Sequence, residues 1–393
     1  MKNILILNMV ALATAFSPFM DEFGMNYFFI ALMVLSIFIT GWHFLKPNKK
    51  NWAVYLLPFT LLFSGILHYD SFRISSYLYG VLFVLFFISN LYLIKNSRIS
   101  IDQYQKFLKA LIYTYFCVLV IQQIQYLSGY EDFFNRIYAK EFSFNVLATE
   151  PSYAAITIIF LFYIYIQNQE AMHHVSYGIA NIRKEKMLCF VFLYQILTIG
   201  SSFGILFLLF LLLTFLKEPK YFAGIFIMTS ALIFIGIENN FVPLIRVIDT
   251  IVAINFSSDD YSDLVYADHS AAVRIIPLLM FLKDLDFYTF FGKGMDFSLN
   301  YFLTVMPGIE EGSKAIWLIP SFIIDYGFVT TLLLIVVIFT NGIQKFFSFS
   351  TVILFFTLLN TSFNSQLFWM VITLLAINKH FIKNASIKNV VGA

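Results

Sequence analysis

Apolar runs long enough to cross a bilayer fill most of this 393-residue chain, and nearly all its carboxylates fall in alternate gaps between those runs. A span needs about 20 apolar residues, fewer if it is tilted or packed inside a bundle. Only 12% of the residues are charged and 60% are hydrophobic, whereas soluble domains carry about twice that charged share. The expected fold class is therefore an all-α polytopic membrane protein. About twelve transmembrane helices are expected, near 4–20, 24–45, 52–68, 75–94, 106–128, 145–166, 187–199, 202–216, 221–237, 316–340, 347–360 and 364–379. Lys2, an apolar stretch and Ala11-Leu12-Ala13-Thr14-Ala15 imitate a cleavable signal peptide, but the charge alternation works better with this segment kept as the first span.

Lys and Arg bias sets orientation. With both termini cytoplasmic, the inner gaps collect most of the basic residues, while the outer side keeps Arg73, Arg136, Lys140, Arg246, Arg274, Lys283, Lys293 and Lys314. This divides the chain into helices one to nine (1–237), a large extracytoplasmic loop (238–315), and helices ten to twelve with a cytoplasmic tail (316–393). The inner loop at 167–186, with His173, His174, Arg183, Lys184 and Lys186, reads as a topology determinant. Cys117 and Cys189 lie inside apolar runs, so no disulfide or metal framework is implied. No basic run is long enough for nucleic acid, and no Walker motif or Gly-rich phosphate loop argues for ATP-driven transport. The 49 Phe and 23 Tyr suit lipid-facing and interfacial surfaces.

Four places are candidates for chemistry. Ala148-Thr149-Glu150-Pro151-Ser152-Tyr153 opens the sixth span from the outer side. Pro151 fits a first helical turn, which leaves Glu150 at the positive end of the helix dipole. Glu150 reads either as a cap or as a carboxylate that accepts a sugar hydroxyl's proton or binds sugar hydroxyls; Ser152 and Tyr153 join it as substrate-binding candidates. Gly200-Ser201-Ser202-Phe203-Gly204 interrupts the apolar run 187–216, which reads as two short helices meeting at a polar kink, with one long tilted helix as the rival. Its serines, Ser201 first, either ease helix packing or line a glycan groove.

The large loop holds the third place. Residues 241–254 read as an interfacial amphipathic helix carrying Arg246 and Asp249. A second helix is expected from Asp268-His269-Ser270 through Arg274 to about Asp286, followed by a turn at Gly292-Lys293-Gly294. An arginine on so apolar a helix needs an anionic partner. Asp268, Asp284 or Asp325 would make an ion pair; a phosphate-bearing ligand would suit the guanidinium's bidentate geometry. His269 is either a surface histidine or an acid/base group. No spacing resembles a metal site, although the acids at 259–263 suit weak divalent binding, and no cofactor is expected. Asp325-Tyr326-Gly327 is the fourth place, since a carboxylate within a span is costly and a functional candidate by default. Asn360 and Asn364, at the outer turn between the last two spans, fit the same cavity.

The span pattern with its late extracytoplasmic loop, Glu150-Pro151-Ser152, Ser201 and Gly204, Arg274 followed by Gly292-x-Gly294, and Asp325-Tyr326-Gly327 together resemble the Wzy-type O-antigen or capsular polysaccharide polymerases over nearly the whole length. The chain departs from the family where an Arg often follows the first Ser of the serine motif; Ser202 stands there. The resemblance implies a GT-C-like membrane glycosyltransferase in a bacterial inner membrane, with its active site extracytoplasmic. It also implies undecaprenyl-diphosphate-linked oligosaccharides as donor and acceptor, and a chain-length regulator as a further partner. Under it, Arg274 stabilises the departing diphosphate, with Arg246 beside it, and Glu150 or His269 acts as base. Ser152, Tyr153, Ser201, Asp268, Gly292, Gly294 and Asp325 bind substrate. The alternatives are an O-antigen ligase, which shares the architecture, and a lipid-linked oligosaccharide transporter. Transporters often betray repeated halves, and none is visible.

Overall fold

A computed structural model describes residues 1–14, 26–41, 51–69, 72–129, 143–173, 185–201, 204–208, 227, 230–231, 234–254, 261–268, 271–272, 274–276, 278–279, 290–295, 297–298, 318–343, 346 and 348–391. They form α1 (Lys2–Ala13), α2 (Tyr27–Thr40), α3 (Trp52–Leu67), α4 (Ile74–Asn96), α5 (Ile101–Ser128), α6 (Pro151–His173), α7 (Lys186–Thr198), α8 (Val242–Ala253), α9 (Ser262–Ala267), α10 (Leu318–Asn341), α11 (Phe349–Leu359) and α12 (Gln366–Val391). Among the described residues there is no strand.

α6 and α12 stand at the centre. Every residue of 154–166 and of 367–378 is buried. α6 packs against α5, α7, α11 and α12, and α12 packs also against α1, α4 and α10. The two run parallel: Thr157 of α6 meets Met370 of α12, and further along Gln167 meets Asn378. α5 runs the other way, with Gln105 against Tyr165 at one end and Gln122 against Val146 at the other. Around this centre the outer helices turn large apolar side chains outward, including Phe59, Phe63, Leu127, Phe190 and Phe38, the last 84% exposed. Water would not tolerate so much apolar surface; lipid does. α4, α5 and α10 are each long and apolar enough to cross a membrane, and α1, α2, α3, α7 and α11 are shorter apolar helices. The protein is an α-helical, membrane-embedded one.

Several boundaries differ from the sequence expectation. α1 stops at Ala13, well before residue 20, because the Gln366 amide nitrogen lies 2.5, 3.1 and 2.7 Å from the carbonyls of Ala11, Leu12 and Thr14 and closes the helix end. α5 starts at Ile101, five residues early, because Ser100 and Gln103 form a reciprocal capping box. α6 begins only at Pro151 although a span from 145 was expected; residues 143–150 are irregular. α12 runs to Val391, beyond residue 379.

Where polar groups are buried between helices they are mostly bonded to each other. Asn8 of α1 donates to the Asn90 side-chain Oδ1 on α4 (2.9 Å) and accepts from the Ser36 hydroxyl on α2 (2.8 Å). Ser89 donates to the Ser36 carbonyl, and its hydroxyl meets that of Thr40 at 3.1 Å. Such neutral bonds join helices where apolar packing alone has no hydrophobic driving force.

Candidate functional site

α6 sets the first component. Pro151 occupies its first turn, where a missing N–H costs nothing. The Glu150 carbonyl accepts the Ala154 N–H at 3.0 Å, so Glu150 is the last residue before the helix and its carboxylate sits at the positive end. The approach to it is unusual. Val146 has φ 53°, a left-handed conformation that a β-branched side chain rarely adopts. Gln122, buried on α5, holds it there. Its Oε1 accepts the Val146 N–H at 3.0 Å, and its Nε2 donates to Asn145 Oδ1 at 3.4 Å. Asn145 in turn donates to the Ala148 carbonyl at 3.0 Å. Buried irregular backbone is tolerated here because side chains and α7 satisfy it: Phe144 N–H donates to the Ile199 carbonyl at 3.0 Å.

That carbonyl belongs to the second component, the expected kink. α7 ends at Thr198, Gly200 has φ 77°, and residues 204–208 are helical again. Ser201 opens the new helix, its hydroxyl accepting the Gly204 N–H at 3.3 Å. At Gly204 a side-chain carbon would lie 3.1 Å from Ala155 of α6, so the kink packs on the first turns after Glu150.

The large loop supplies the third component. α8 is the expected amphipathic helix, bearing Arg246, which makes no ion pair among the described residues. Asp268 accepts the Ala271 N–H on its side chain at 3.1 Å, capping the helical residues 271–272, 274–276 and 278–279. Those residues dock through Ala272, Ile276 and Leu279 on Leu264, Tyr261 and Ile324, a small apolar core separate from the main one. Arg274 is thereby carried inward, 3% exposed. Guanidinium does not lose its proton in proteins, so a buried one needs an anion. Its Nη2 lies 3.4 Å from Glu150 Oε2. Ser152 donates to that same oxygen at 3.2 Å. Glu150 Oε1 has no bond among the described residues, and the Glu150 side chain is 25% exposed.

α10 is the fourth component. It was expected as a span over 316–340 carrying Asp325-Tyr326-Gly327, and Gly327 breaks it with φ 83° and ψ 169°. Gly292, also at φ 83°, packs onto the break: a side-chain carbon there would lie 2.6 Å from the Asp325 carbonyl and 2.7 Å from the Gly327 nitrogen. The Lys293 and Gly294 N–H groups donate to the Ile324 and Asp325 carbonyls at 2.6 and 3.2 Å, and Ser64 of α3 adds a bond to Asp325 O at 3.3 Å. The Asp325 side chain accepts from the Ser298 N–H (2.7 Å) and hydroxyl (3.0 Å).

Among the expected residues, then, Glu150, Ser152 and Arg274 come together directly. Ser201 stands behind them, and Gly292, Gly294 and Asp325 form the joint that docks the loop. Asp268 is a helix cap, and among the described residues Arg274 reaches the Glu150 carboxylate. Tyr153 follows Ser152 on α6 and gives its carbonyl to the Thr157 hydroxyl. His269 and Asp284, and the acids at 259–260, lie outside the described residues. Sequence reasoning missed Gln122, Asn145, Ser298 and Ser64. Of these, Gln122 stood in plain view as an amide inside an apolar run. No group of metal-ligating acids, histidines and cysteines occurs among the described residues.

No protein-family model matches the sequence, and no curated protein or solved structure is significantly similar to it.

Proposed function

We propose that this protein is a bacterial inner-membrane glycosyltransferase of the O-antigen polymerase type, joining undecaprenyl-diphosphate-linked oligosaccharide repeat units at the extracytoplasmic face. In this reading the chain crosses the membrane about twelve times in a GT-C-like arrangement with both termini cytoplasmic. The shorter apolar helices and the apolar runs of sequence outside the described residues supply the remaining crossings. One observation carries the proposal: a buried arginine and a partly open glutamate, 124 residues apart in sequence, meet at 3.4 Å where α6 begins.

The chemistry follows from that pair. A hydroxyl of one lipid-linked repeat attacks the anomeric carbon of the growing chain's reducing-end sugar. The new carbon–oxygen bond forms as the bond to the diphosphate breaks, and the lipid diphosphate departs with the electron pair. Glu150 Oε1 takes the hydroxyl's proton. Arg274 neutralises the diphosphate without a metal, its planar donors matching phosphate oxygens. At rest the two side chains compensate each other. An arriving diphosphate gives Arg274 a second anion and leaves Glu150 less neutralised, so donor binding and base activation are coupled. Membrane burial of the chain suits a polyprenyl donor, which never leaves the bilayer.

Purified protein mixed with its undecaprenyl-diphosphate repeat unit, with chelator and no nucleotide, tests this. A ladder of products is the expected result. Unaltered substrate would overturn the polymerase reading, and adding lipid A core as acceptor then asks for the ligase.

A further inference from the structure

α8 is turned inside out for a helix at a protein's surface. In water such a helix lays its apolar side on the core and shows its polar side to solvent. On α8, Arg246, Thr250 and Ala253 share one face by helical spacing, and this face turns toward the protein. Thr250 is buried, and Ala253, with Ile254 just past the helix end, packs on the small apolar core around Leu264, Ala272 and Ile276. Ile245, Ile248 and Val252 share another face, bordered by Ile251. Ile251 and Val252 point away from the protein, 61% and 79% exposed.

Where α8 starts says what covers that face. The helical residues 234–238 before it also hold apolar side chains outward, at Phe234, Ile235 and Ile237, as the lipid-facing helices do. The apolar sequence stops at Glu238-Asn239-Asn240, where a membrane-crossing segment would meet water. There the chain folds back: Asn240 has φ 51°, and the Phe241 N–H donates to the Gly236 carbonyl at 2.7 Å. A side-chain carbon at Gly236 would lie 2.7 Å from Leu244, so the first turn of α8 rests on the last turn of the preceding helix. The exposed apolar surface therefore continues from Ile237 through Phe241 onto α8. A helix with one such apolar face, lying beside the end of a membrane segment, is at home in the plane of the lipid–water boundary.

The other face reaches the site. α8 packs along α9, and the core that takes up Ala253 and Ile254 is the one in which Ala272 and Ile276 seat the segment bearing Arg274. We propose that α8 lies in the lipid–water boundary on the side of the large loop, with Ile245, Ile248, Ile251 and Val252 among the acyl chains, and that the Arg274 segment is seated on this lipid-borne helix. The occupant is lipid because the face is one surface with the lipid-facing residues 234–237. The inference holds whatever reaction Arg274 serves.

The test uses the full-length chain in phosphatidylglycerol nanodiscs. A nitroxide label is placed on Val252→Cys after Cys117 and Cys189, the two native cysteines, are changed to alanine. Its collisions with oxygen should exceed those with a water-soluble nickel chelate. Dominant chelate collisions overturn the proposal, because the face is then in water. Shielding from both reagents overturns it too, because a second protein chain then covers the face. Hydrogen exchange, measured with the native cysteines in place, tests the seat. Val252→Glu sets a charge against lipid and should speed exchange in α9 several-fold while α6 keeps its wild-type rates. Val252→Leu should change neither. Wild-type exchange of α9 in Val252→Glu overturns the link to Arg274. If Val252→Glu does not fold, the label decides.

Discussion

Two buried polar clusters in this molecule have opposite designs. Between α1, α2 and α4, Asn8, Ser36, Thr40, Ser89 and Asn90 sit on regular helices, carry no charge, and bond to one another at 2.8–3.1 Å. At the start of α6, Glu150 and Arg274 carry full charges, rest on a broken helix and a left-handed valine, and meet at a looser 3.4 Å with Glu150 25% exposed. The first cluster is closed: its bonds use the groups up and leave nothing to offer a ligand. The second is held together by backbone irregularity that costs stability and leaves an oxygen open. Closed neutral clusters join helices, whereas charged clusters on strained backbone are where function is to be sought.

The largest expected effect is at Arg274. Arg274→Ala should lower polymer formation by about 10²–10³-fold while the protein remains in the membrane at normal abundance, read by product ladder and immunoblot. Wild-type polymer length and yield would erase the contrast. Next comes the joint beneath it. Gly327→Ala places a carbon 2.5 Å from the Phe291 backbone at a φ of 83°. It should cost more than the roughly 1–3 kcal/mol of a strained backbone alone, seen as loss of monodisperse protein. An unchanged Tm would mean that loop and span are not pressed together. Glu150→Gln keeps the shape and removes the charge. Its product rate should fall by about 10²-fold or more with little change in Tm, and a rate equal to wild type would assign the proton to another group. Asn90→Leu should do the reverse, costing about 1–2 kcal/mol of stability with activity per folded molecule unchanged; lost activity would join the two clusters functionally. Lys109→Ala is the smallest, about 0–1 kcal/mol, because the pair with Glu185 is more than a quarter exposed on both sides.

The parts of this architecture that rest on local chemistry were readable in advance. Pro151 announced the start of α6, Gly200 and Ser201 the kink, Gly292 and Gly294 the turn, and Asp268 the start of the helix bearing Arg274. The partner of Arg274 was not readable. Among the described residues Asp268 and Asp325 were nearer in sequence or more conspicuous, but Asp268 caps its own helix and the Asp325 carboxylate accepts from Ser298. The choice of Glu150 depends on how Ala272, Ile276 and Leu279 seat on Ile324, a docking with no local signature. The break in α10 was hidden for a related reason. Glycine is common in membrane helices, and only the approach of Gly292 distinguishes Gly327 as a break.

The bond from Ser64 to the Asp325 carbonyl joins positions 261 residues apart. Chains are synthesised at about 5–20 residues per second, so the first partner precedes the second by roughly 13–50 s. Over that interval α3 stands in the bilayer with the face destined for α10 covered only by lipid, and the loop carrying Arg274 has no broken helix on which to close. The ion pair is therefore among the last contacts the molecule can make. Premature release of the chain anywhere before α10 yields a membrane-inserted protein without the joint that seats Arg274 against Glu150, so the pair arrives with the final quarter of synthesis, not gradually along it.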